Sequence, residues 1–133
     1  MPQNQAQNKD VKLHWENLCA AALAEVELTL AALPEPLRER AEKLPVLFER
    51  EPNVELQADG IEPDTLGLFV GAEFVEENDS PLPPQIILYL TNIWDVAETD
   101  EQHFREEVRT TFLHELGHYL GLDEAELTER GLE

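Results

Sequence analysis

Apolar residues recur at steps of three and four along the first quarter of the chain, through Val11, Trp15, Leu18, Cys19, Ala22, Val26, Leu30 and Leu33. That spacing lines one face of an α-helix and predicts a long amphipathic helix. Pro34 and Pro36 are expected to end it, since proline lacks the amide donor that a continuing helix needs. A short helical piece over residues 37–44 should follow and stop at Pro45. Beyond it the pattern shortens to apolar runs at 54–58, at 66–70 with Phe74 just beyond, and at 86–90, each bounded by Gly, Pro, Asn or Asp. These runs predict three strands. The acidic, proline-rich stretch 76–84 cannot pair into a sheet and is expected as a mobile surface loop. A last helix is expected to start at Thr99, because Gln102 stands three residues on and Asp100 and Glu101 occupy the first turn. Its apolar stripe is Phe104, Val108, Phe112, Leu116 and Tyr119, and Gly121 suits the left-handed residue that closes a helix.

Composition narrows the class. With 133 residues, 42% of them apolar, the chain fits one domain with a single core, expected over residues 9–133 after a disordered polar tail at 1–8. The net charge of −20 repels phosphate backbones, so nucleic acid is not an expected partner; a solvated acidic surface is the plain reading. No run approaches the roughly 18 apolar residues of a membrane span, and the opening stretch lacks the apolar segment of an export signal. No membrane partner is expected, and the cytoplasm is the expected compartment. The single cysteine, Cys19, excludes disulfide stapling and a cysteine-rich metal site, and it reads as a small core residue.

The chemistry lies in the last helix, in His114-Glu115-Leu116-Gly117-His118. Residues four apart lie one turn above each other, so two imidazoles at 114 and 118 can reach one cation. Glu115 projects about 100° further round the axis. There it cannot easily join the ligands but can hold a water beside them. With His114 as zero on the helical wheel, Thr111, Phe104, Glu115, Val108 and Tyr119 fall in the buried sector. A carboxylate aimed inward without a partner is costly, and a metal with its water would remove that cost. Zinc suits such a site, because it takes imidazole and carboxylate in a tetrahedral set and keeps a position open when the protein supplies three ligands. The expected roles are His114 and His118 as ligands of Zn2+ and Glu115 as general base. For the third ligand, fifteen residues after His118 are too few for a distant second helix. The pattern His-Glu-x-x-His-x-x-Gly-x-x-ligand puts Gly121 at the glycine and Glu124 at the ligand position, with Asp123 as its competitor. His103, eleven residues before His114 and so about 16 Å away along the axis, reads as a surface histidine. His14 in the first helix reads likewise.

From about Val54 to Gly131 the sequence resembles the small bacterial zincin-like family of candidate zinc metallopeptidases. The resemblance is carried by Asn53-Val54-Glu55-Leu56, by Leu66-Gly67-Leu68-Phe69 with Gly71, by Pro84-Gln85-Ile86-Ile87-Leu88-Tyr89 and most specifically by the block from Val108 through Glu124. It implies an α+β, zincin-like fold in which a small mixed β-sheet packs against the motif helix, alongside the long N-terminal helix, and a zinc site of the expected kind. The N-terminal helices are more extensive than that family's pattern.

Two functions are open at this point. A zinc-dependent metallopeptidase would cut an extended peptide lying beside an edge strand, for which 66–70 and 86–90 are both candidates. A non-catalytic zinc-binding module for protein interaction or regulation would use the metal only to clip the C-terminal segment onto the helix. The inward Glu115 favours the first, because a structural zinc gains nothing from it. Tyr89 and Tyr119 are the candidates for stabilising an oxyanion, although apolar neighbours suggest core positions for both.

Overall fold

Helix α1 spans Pro2–Ala32, so the backbone is already helical through the polar stretch expected as a tail. The computed structural model describes residues 2–71 and 84–121, with side chains from His14 onward. The predicted stripe faces the core: Leu18, Ala22, Val26 and Leu33 are buried, and Trp15, Cys19 and Leu30 pack against them half-covered. Burial pushes the Cys19 thiol up despite the opposing charge of Arg50, which suits an inert packing residue. Arg50 itself lies 4.4 Å from the ring centre of Trp15, a cation–π contact tying the segment after the first strand to α1.

The second helix, α2, runs Glu35–Ala41, two residues earlier than expected at its start. Pro36 falls inside it because the first turn of a helix has no use for the missing N–H. Strand β1, Val46–Glu49, follows directly after Pro45.

The expected strand at 54–58 is instead helix α3, Val54–Ala58. Its cap explains the difference: the Asn53 side chain accepts a hydrogen bond from the Leu56 amide at 2.9 Å, closing a turn that a strand would leave open. None of its residues is buried, so no core contact opposes the local preference. The sheet's third strand is β1, which the apolar runs did not reveal because only four residues separate Pro45 from Arg50. Strand β2, Gly67–Val70, lies within the predicted run 66–70, and β3, Gln85–Tyr89, is shifted one residue earlier than the predicted 86–90. The order is β1-β3-β2, with β1 parallel and β2 antiparallel to β3. The sheet is therefore mixed, and among the described residues β2 is one of its edges.

Helix α4, Leu90–Val96, continues from β3 without a loop and buries Leu90, Asn92 and Ile93. It is closed by Glu98 and Thr99, both with positive φ, of 57° and 59°, while the Thr99 amide donates to the Trp94 carbonyl at 3.1 Å. The cap of the last helix, α5, Glu101–Leu120, is consequently Asp100 and not Thr99: its side chain accepts from the His103 amide at 2.9 Å. Thr99 cannot serve because its backbone is turned into the left-handed closure of α4. At 57° the exposed Glu98 adopts a backbone that costs an L-residue about 1–2 kcal/mol. Glu98→Gly should thus raise stability by about 0.5–1 kcal/mol after the added chain entropy of glycine. Thermal denaturation measures this, and a lowered midpoint would contradict it.

Helix α5 packs against both α1 and the sheet. Phe104, Val108, Phe112, Leu116 and Tyr119 are buried along it, meeting Ile86 and Leu88 of β3 in one continuous core. The α+β arrangement expected from the resemblance, with a small mixed sheet against the motif helix and beside a long N-terminal helix, is the one observed. Among the described residues no helix is long and apolar enough to cross a membrane.

Candidate metal centre

The motif occupies the last two turns of α5, and Gly121 ends them at φ 72°, the left-handed conformation that glycine adopts without strain. His114 and His118 sit one turn apart on the exposed side, whereas Thr111 and Glu115 are buried. The two imidazole rings have centres 4.7 Å apart. One ligand atom from each of His114, Glu115 and His118 can be chosen so that all lie within 4.8 Å of one another. The helical period alone creates this cluster, and the wheel places its carboxylate inward as expected.

Glu115 is the unusual member. It is 6% exposed; one carboxylate oxygen, Oε1, lies 3.7 Å from Nδ1 of His118, and the other, Oε2, is buried without a hydrogen-bond partner among the described residues. Burial raises its pKa above the ordinary value of 4.5, against the lowering influence of His118 and then His114. An orphaned buried acceptor beside two imidazoles fits a divalent cation and its water, which would satisfy it. The donor chemistry, nitrogen with carboxylate oxygen, suits zinc.

Strand β2 forms the wall on the Glu115 side. A Cβ at Gly67 would lie 2.6 Å from Cγ2 of Thr111 and 3.3 Å from Cγ of Glu115, so only glycine allows the strand to come this close to the helix. Further along, Phe69 meets Tyr119 edge-on at 5.8 Å, and β2 therefore runs beside α5 in the same direction. The Tyr89 amide donates to the Leu66 carbonyl at 2.9 Å. In an antiparallel ladder the neighbours of such a pair point the other way, so Gly67 and Phe69 direct their backbone N–H and C=O groups away from β3, toward the edge that no strand among the described residues covers. The apolar pattern does not predict this close approach, although a glycine inside an apolar strand is a recognised sign of one. Gly67→Ala should destabilise the protein by roughly 1–3 kcal/mol, the usual cost of overpacking. Denaturant unfolding checks this, and a change within about 0.5 kcal/mol, the range of ordinary surface substitutions, would mean that the strand gives way freely.

The remaining histidines behave as surface groups. His103 is exposed, 3.6 Å from Asp100, and His14 is exposed with its ring edge-on to Trp94 at 5.2 Å. Tyr89 is fully buried and, one residue after the α5-facing Leu88, belongs to the opposite face of the sheet. Tyr119 is buried against Phe69. Both tyrosines are packing residues here. Glu124 and its competitor Asp123 lie outside the described residues, as do Phe74 and nearly all of the 76–84 loop.

Comparison with curated proteins gave no significant match. The family model described as Zincin-like metallopeptidase matches residues 41–132, a span that takes in the sheet, α4, α5 and the His114-to-His118 cluster. The chain belongs to the zincin-like metallopeptidase family.

Proposed function

We propose that this chain is a zinc-dependent peptide hydrolase in which His114, His118 and Glu124 hold the metal and Glu115 is the general base. The observation that carries this reading is the buried carboxylate with one unpartnered oxygen beside two imidazoles. Zinc at this position would act as a Lewis acid, polarising a peptide carbonyl and bringing the pKa of water toward neutrality. Glu115 takes the proton from the attacking water and delivers it to the leaving amine. Being held inside a helix against β2, it makes this transfer without first reorganising. An extended substrate would add to the free edge of β2, pairing with the outward backbone groups of Gly67 and Phe69. The acidic surface, with a net charge of −20, argues against a nucleic-acid substrate.

Exposure of both imidazoles favours a second reading, a non-catalytic zinc module, because an open metal excludes water poorly. The inward Glu115 weighs against it. The two are separated by incubating zinc-loaded protein, prepared without a histidine tag, with an unstructured protein substrate. Cleavage that stops on chelation and returns with zinc supports the hydrolase. Bound zinc with no cleavage favours the module.

A further inference from the structure

We propose that Asn92 is a positioning residue for this site, acting through the segment that leads into β2; the proposal rests on the hydrolase reading. Asn92 stands in the first turn of α4 and is 9% exposed. Its side-chain nitrogen donates two hydrogen bonds to backbone carbonyls nearly thirty residues earlier, to Pro63 at 2.8 Å and to Thr65 at 2.9 Å. Both protons of the amide are thereby used on one short stretch of chain. The same stretch is folded on itself by Thr65, whose hydroxyl donates to the Glu62 carbonyl at 2.7 Å. Two residues beyond Thr65 comes Gly67, the residue that touches Thr111 and faces Glu115.

The line of contacts is therefore continuous. Leu90 and Ile93 anchor α4 in the core shared with α5, Asn92 extends from α4 to the carbonyls at 63 and 65, and the chain so held delivers Gly67 against the turn of α5 that carries Glu115. Asn92 touches neither the imidazoles nor the free edge, and acts by setting how close that edge comes to them. The hydrogen bond from the Tyr89 amide to the Leu66 carbonyl does not involve Asn92, and Asn92 is not among the apolar residues of the core. Loss of the amide should thus loosen the edge strand while the fold and the two histidines stay in place. In a hydrolase whose substrate adds to that edge, the consequence is weaker substrate binding with little change in the chemical step.

The test compares zinc-loaded wild type with Asn92→Ala and with Asn92→Asp, which keeps the shape but removes both donors. Val26→Ala serves as a control that destabilises the core without touching this segment. Three quantities are read: zinc content, the nuclear Overhauser contact between the Gly67 α-protons and the Thr111 methyl group, and KM and kcat on an unstructured protein. Both Asn92 variants should retain full zinc and weaken the contact. They should raise KM roughly tenfold, as expected for losing hydrogen bonds worth on the order of 1–2 kcal/mol, with kcat within about threefold of wild type. Val26→Ala should keep both contact and KM. A contact that survives in both Asn92 variants, or that is lost equally in Val26→Ala, overturns the proposal. If the contact responds as expected while even the wild type cleaves nothing, the hydrolase reading falls and the structural role of Asn92 stands.

Discussion

Glu115→Gln should lower kcat by about 100-fold to 10,000-fold, the usual range for losing a general base, while zinc content stays at the wild-type level. The amide keeps the shape of the carboxyl group and its place against Thr111 and Gly67, but it can neither take a proton from water nor hand one to an amine. The metal-free protein gives the same residue a second readout. Burial raises the Glu115 pKa above 4.5 despite His118 and His114, so in the window above 4.5 the folded state holds a proton that the unfolded state has released. Stability must then fall as pH rises through that window and stay lower above the folded-state pKa. Glu115→Gln removes this contribution, and the metal-free variant should be the more stable one at neutral pH and lose its advantage in acid. Parallel denaturation curves across pH decide it; an equal pH dependence in the two proteins would show that the carboxylate is solvated after all.

The second large effect concerns the metal. His118→Ala should weaken zinc binding by more than about 100-fold, since even groups that only orient a zinc ligand contribute 10-fold to 100-fold. The helix should survive the change. His118 is exposed and contributes no core contact, alanine is the best helix former, and the cap at Gly121 is untouched. Zinc titration against a competing chelator measures the affinity, and circular dichroism confirms the fold. An unaltered affinity would place the ion elsewhere.

Much of this site is legible in the residues themselves because its geometry is local. The stacking of His114 and His118 and the inward turn of Glu115 follow from the helical period, the closing glycine at 121 follows from its left-handed backbone, and each is found as expected. Features that depend on distant neighbours are not legible in this way. Residues 54–58 alternate apolar and polar positions as a strand does, yet an asparagine cap and the lack of any buried face make them a helix. Strand β1 is too short for its alternation to register, and it is identified only by the pairing of Val46 through Glu49 with Ile86 through Tyr89. Thr99 satisfies the pattern of a capping box, but the left-handed turn closing α4 takes its backbone and leaves the role to Asp100. The importance of Gly67 and Asn92 likewise appears only when β2 and α4 are placed around α5.

The hydrolase reading requires one ion between two imidazoles on α5. X-ray absorption at the zinc edge of the tag-free, zinc-loaded protein reads that directly. The account predicts two imidazole nitrogens at about 2.0–2.1 Å, with oxygen completing a four-coordinate shell, and a spectrum that changes in His118→Ala. A shell of oxygen alone, identical in the variant, would contradict it.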